Sequence, residues 1–201
     1  MQFAERITTI EKLPYEFRIG FVAFCAERCI KEARLHPVAR KQLESLPLLL
    51  EGLEMLWARA ERGVVPAPEA MNAVLAHLST YDSTAPDLEN VVYHYDVVLV
   101  DAAGEVRSGL RKVQDPETAT ADYVVNALEG PYHSVSVIYA DYKNARKGEL
   151  AVIDTALLRL LDWGNKPFSR AAFEAIPEWR RGELSRKYAE NRLKGSAEDD
   201  E

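Results

Sequence analysis

The longest periodic run in the chain spans Asn90 to Val113, NVVYHYDVVLVDAAGEVRSGLRKV. Its apolar residues Val92, Tyr95, Leu99, Ala102, Val106, Leu110 and Val113 recur at steps of three and four, the period of one face of an α-helix. The polar residues His94, Asp101, Glu105, Ser108 and Lys112 keep the same rhythm on another face. A hairpin competes with this reading. Val91 to Val100 is β-branched and aromatic, and Asp101 to Gly104 would turn into a second strand, Glu105 to Val113. In that hairpin His94 and Asp96 would share a face with Val92, Val98 and Val100. The periodicity therefore favours a helix, although Gly104 costs it about 1 kcal/mol. The fold expected is all-α, a single-domain multi-helix bundle over residues 1–194 with a disordered acidic tail at 195–201. The alternative is α+β with a hairpin at 91–113.

The remaining pattern leads into this stretch and covers it. Phe3 to Leu13 reads as a short amphipathic helix, and Pro14 suits the first turn of the next. There Phe17, Phe21, Phe24 and Cys25 form a stripe widened by Val22, Ala26 and Cys29, so this helix is expected near the middle of the fold. Glu27, Arg28, Lys31, Glu32 and Arg34 gather at its C-terminal half and read as a solvated end. Beyond His36-Pro37 a helix carries Leu46, Leu49, Leu50, Leu53, Leu56, Trp57 and Ala60, with Pro47 at its start or a kink and Gly63 at its stop. Pro68 opens another, with Met71, Val74, Leu75 and Leu78 inward, and a polar loop runs from Ser79 to Asp87.

After Val113, Asp115-Pro116-Glu117 signals a helix start. Tyr123, Val124, Ala127 and Leu128 would be its buried face and Gly130-Pro131 its end. Tyr132 to Tyr142 fits a helix or a strand, and Lys143 to Gly148 reads as a basic loop. Glu149 to Trp163 is a helix with Leu150, Ile153, Leu157, Leu160 and Leu161 inward. Ser169 caps a shorter helix, and Glu178 to Lys194 forms a charged last one.

Composition narrows the function more than the fold. The chain has 201 residues, 47% hydrophobic and 28% charged, ordinary for one globular core. A net charge of -7 argues against a nucleic-acid partner and suits a basic protein partner. No stretch approaches the roughly 20 apolar residues of a membrane span. The charged start MQFAERITTIEKL lacks the apolar run of a signal peptide, so a cytoplasmic protein is expected. Cys25 and Cys29, four residues apart, read as small buried residues. A metal there would need two more ligands, and no metal or cofactor is expected.

No glycine-rich phosphate loop, nucleophile elbow or zinc-binding helix motif appears. The compact titratable set is His94, Asp96 and Asp101, with His133 a further candidate. It would serve a small metal-dependent hydrolase, one of two alternatives, the other being a structural homo-oligomer. An ordinary polar helix face also accounts for it. The partner-binding residues expected are Tyr81, Asp82, Asp87, Glu89, Tyr93, His94 and Asp96, where acids and aromatic anchors gather before and within the first turns of the helix. Carboxylates at a helix start also stabilise the helix end itself.

Three segments carry a family resemblance. RIGFVAFCAERCI with LLLEGLEMLW resembles the opening helices of the all-helical immunity proteins found beside bacterial polymorphic toxins (the Imm5-like group and the related DUF416 family). DAAGEVRSGLRKVQDPETATADYVVNALEG resembles their middle helical pair, and ELAVIDTALLRLLDWG their later helix. The resemblance covers about Phe17 to Gly164. It departs in the valine-rich run Val91 to Val100 and in the last thirty-odd residues, which have no counterpart. It implies a non-enzymatic protein that binds and neutralises a cognate toxin.

Overall fold

Two long helices set the frame, α2 (Tyr15–Leu35) and α6 (Tyr93–Gln114). The structure is a computed structural model and describes residues 1–35, 37–44, 46–80, 93–131, 134, 142–163, 166–174 and 176. All regular secondary structure among these residues is helical. The other helices are α1 (Phe3–Glu11), α3 (Pro37–Glu44), α4 (Pro47–Arg62), α5 (Pro68–Ser79), α7 (Ala121–Val125), α8 (Tyr142–Trp163) and α9 (Ala171–Glu174). Short 3-10 turns at Pro116–Thr118 and Asn126–Leu128 flank α7.

α2 lies at the centre, packed against α3, α4, α6, α7 and α8. Its sequence demands that position: Ile19, Phe21, Val22, Phe24, Cys25, Ala26, Cys29 and Ile30 leave no side polar enough to face water along most of its length, and all are buried. α6 buries Leu99, Ala102, Val106, Leu110 and Val113, the stripe its period defines. The hairpin alternative is excluded for residues 93–113, because the 3.6-residue period serves a core on one side of a helix. α4 crosses close to both helices. A Cβ on Gly109 of α6 would stand 2.8 Å from Leu56 and 3.0 Å from Val22, and one on Gly52 of α4 would stand 2.6 Å from Val106. The absent side chains let the backbones approach.

Helix ends follow local chemistry. Pro47 and Pro68 open α4 and α5, where a missing N–H costs nothing. Gly63 closes α4 at φ 65°, and the Val64 N–H donates to the Ala58 carbonyl. The Ser169 hydroxyl accepts from the Ala171 N–H at the start of α9. An aromatic cluster joins the segment before α9 to α2 and α4: Phe24 stacks near Phe173 at 4.6 Å, and Phe17 meets Phe168 edge-on at 5.4 Å.

Several expectations are revised. α3 was not anticipated; Ala39 and Leu43, one turn apart, bury its inner side. Asp115-Pro116 opens a 3-10 turn, and the α-helix starts only at Ala121. Tyr123 is 39% exposed rather than buried. The Lys112 ammonium lies 3.4 Å from its ring centroid and Ser108 donates to its hydroxyl, so the ring forms a lid over an amphipathic lysine. Gly130-Pro131 continue a helical turn and are buried. α8 begins at Tyr142, so Lys143 to Gly148 is helix and not loop. Ala145 and Glu149 extend the inward stripe of Val152, Ile153 and Ala156 backwards by two turns. The expected charged helix 178–194, the tail 195–201 and most of 132–141 lie outside the described residues. No helix among the described residues is long and apolar enough to cross a membrane.

Candidate functional site: carboxylates along the central helix pair

The C-terminal half of α2 holds charges that sequence reasoning placed in water. Glu27, Arg28 and Glu32 are buried instead, because α8 and the segment before α9 close over them. Arg28 reaches Glu149 of α8 through two charge-assisted bonds, Nε at 2.8 Å and Nη2 at 2.5 Å. Burial opposes the Arg28 charge, but the carboxylates of Glu149 and Glu32 together hold the guanidinium protonated more firmly than usual. Glu27 accepts from the Trp57 indole N–H at 3.0 Å and from Arg170, and pairs with Lys31 at 3.3 Å. Burial lowers the Lys31 ammonium to about 8 despite that carboxylate. These contacts tie α2 to α4, α8 and the start of α9. Their work is architectural.

A second group of carboxylates lies on α6 and on the turn at 129–131. Asp101 and Glu105, one turn apart on α6, line a depression of about 300 Å³ with Glu129, Asn126 and Arg107. The Ser134 hydroxyl donates to Asp101 at 2.8 Å and lies 3.9 Å from the Cys29 sulfur. The Gly130 backbone N–H donates to Glu105. Glu105 lies close under that turn: a Cβ on Gly130 would stand 2.9 Å from its side chain. Burial, then Asp101, then Glu129 raise its carboxyl well above the usual range, and the Gly130 hydrogen bond offsets only part of this. The nearby Cys25 and Cys29 are free and fully buried. Their thiols are pushed well up, chiefly by burial and then by Glu105 and Asp101 respectively, which makes them poor nucleophiles.

With three carboxylates against the single cation Arg107 among its lining residues, the partly open depression is net acidic and suits a cationic group, such as the side chain of an arginine or lysine from a partner. Among the described residues no group of three or more His, Cys, Asp or Glu side chains is arranged to hold a metal ion.

The structure relates to the expected site as follows. Tyr81, Asp82, Asp87 and Glu89 lie outside the described residues, as does His133. Tyr93, His94 and Asp96 sit in the first turns of α6, with side chains outside the description. Asp101 accepts a hydrogen bond from Ser134. Glu129 and Gly130 were missed, because only the fold carries the turn at 129–131 onto Glu105. Compared with known proteins, the chain matches no family model, no curated protein and no solved structure.

Proposed function

We propose that this protein is a non-enzymatic immunity protein that binds and neutralises a basic toxin domain in the cytoplasm, using the N-terminal half of α6 and the loop before it. The observation that carries this reading is the carboxylate-lined depression of Asp101, Glu105 and Glu129 on α6. A helix rises about 1.5 Å per residue, so Asp101 follows His94 and Asp96 within about two turns. In the sequence, two residues of the depression, Asp101 and Glu105, follow the acids Asp82, Asp87, Glu89 and Asp96. An arginine or lysine entering it would neutralise crowded like charges, and the overall charge of -7 would speed encounter with a basic partner. The all-helical architecture agrees with the family that three of its segments resemble.

The test is co-expression with the protein encoded by the adjacent gene, followed by affinity measurement. Wild type should protect cells and bind. Replacing Asp82, Asp87 and Glu89 with lysine, or Glu129 with lysine, should weaken binding by about tenfold or more while the far-ultraviolet spectrum stays helical. Full protection by both variants would move the interface elsewhere.

A further inference from the structure

A glycine inside a helix destabilises it relative to alanine, so each one calls for a physical reason. Three of the helical glycines have a reason in packing. The Phe168 ring fills the place of a side chain at Gly20, Val106 and Val74 fill it at Gly52, and Leu56 with Val22 at Gly109. Gly104, in the middle of α6, differs: no atom lies within 4 Å of where its Cβ would stand. It lines the acidic depression, with Val100 and Asp101 one turn before it and Arg107 one turn after. Leu78, Val100 and Ala103 give that lining an apolar part, and Asp101, Glu105 and Glu129 an acidic one. A missing side chain on an open helix face bares the backbone and lets another chain come closer than any larger residue permits.

We infer that Gly104 is the point at which the main chain of the basic partner crosses α6, with an arginine beside the crossing reaching into the depression. Charge complementarity selects that occupant, because the lining carries three carboxylates against Arg107. A planar guanidinium meets carboxylates through paired N–H donors, where lysine offers only a point charge. Asp101 accepts from Ser134 and Glu105 from the Gly130 N–H. A carboxylate accepts several donors, so these bonds are compatible with an entering guanidinium. The inference rests on the reading of α6 as the partner-binding element, and adds where and how closely the partner approaches.

The experiment is calorimetric titration of the full chain with the protein encoded by the adjacent gene, using wild type, Gly104→Ala, Gly104→Leu and Glu129→Lys. Gly104→Ala should melt about 2–4 °C above wild type, since its methyl enters open space and alanine favours the helix. It should nonetheless bind more weakly, and Gly104→Leu should lose about tenfold or more in affinity. A lowered melting temperature for Gly104→Ala would overturn the inference, because the notch would then be filled. Unchanged affinity in Gly104→Ala and in folded Gly104→Leu would overturn it too. If Glu129→Lys alone weakens binding, the acidic depression keeps its role and the crossing at Gly104 falls. No binding by wild type overturns both.

Discussion

Glu149 and Glu105 both lie near α2, Glu149 buried and Glu105 partly exposed, and they meet opposite surroundings. Glu149 meets the Arg28 guanidinium in a two-point ion pair, both partners buried to within a few per cent of their surface. Glu105 meets a backbone N–H, with two further carboxylates nearby. The first arrangement keeps its charge and fixes α8 on α2. The second is shifted towards the neutral acid, since burial and like charges oppose ionisation. Two carboxylates beside α2 thus meet different surroundings, one an engaged guanidinium and the other a backbone N–H among like charges. The difference teaches where the molecule is finished within itself and where it is prepared for a partner.

Breaking the matched pair should have the largest effect. Glu149→Leu strands the Arg28 charge and should lower stability by about 3–5 kcal/mol in urea denaturation. The double variant Arg28→Met/Glu149→Leu should recover part of that loss, because the pair itself becomes apolar while the buried Glu32 loses the Arg28 charge beside it. A double variant as unstable as the single one would show that packing, and not charge, is what the pair supplies.

The crowded group should respond through pH. The folded-state carboxyl of Glu105 lies above its unfolded value, so its contribution to stability is fully present below the unfolded pKa and is lost as pH rises through the folded one. Glu105→Gln should therefore leave stability little changed in acid and raise it relative to wild type towards neutral pH. Paired denaturation curves across that range measure the difference. Curves that stay parallel would place Glu105 in water.

Gly130→Ala is a finer probe of the same carboxyl. The added methyl would press on Glu105 at 2.9 Å and turn it outward, at a cost offset by the better helix propensity of alanine. Net stability should change by less than about 1 kcal/mol, while the Glu105 titration followed by carboxyl NMR moves down towards the ordinary range. The smallest expected effect concerns Lys31, whose ammonium should titrate near 8. Glu27→Gln should lower it further, since Glu27 is what opposes burial there.

Much of the architecture is visible in the chain without the fold. The buried stripe Leu99, Ala102, Val106, Leu110 and Val113 follows from a period sustained over six turns, which outweighs the strand propensity of the valines before it. Pro47, Pro68 and Gly63 mark helix ends because each backbone constraint is local. The short α3 and the early start of α8 were less visible. Their apolar residues are sparse, and each helix is held by neighbours distant in sequence.

The candidate site was only half legible. Asp101 stood out because it repeats with the polar face of α6, but its partner Ser134 lies 33 residues away. Nothing in a run of Glu27, Arg28, Lys31 and Glu32 distinguishes a solvated helix end from a buried one. Charge patterns read alike in both cases, and the outcome depends on Glu149 arriving from 121 residues further on.

By itself the sequence determined the all-helical class, the central place of α2, the inward stripe of α6 and the acidic balance. Those features arise from spacing, propensity and composition, which act over a few residues at a time. Only the tertiary structure decided which charges are buried, which are matched and which are crowded. Those outcomes depend on distance through space and on exclusion of water, and both exist only once α8, the turn at 129–131 and Ser134 have closed on α2 and α6.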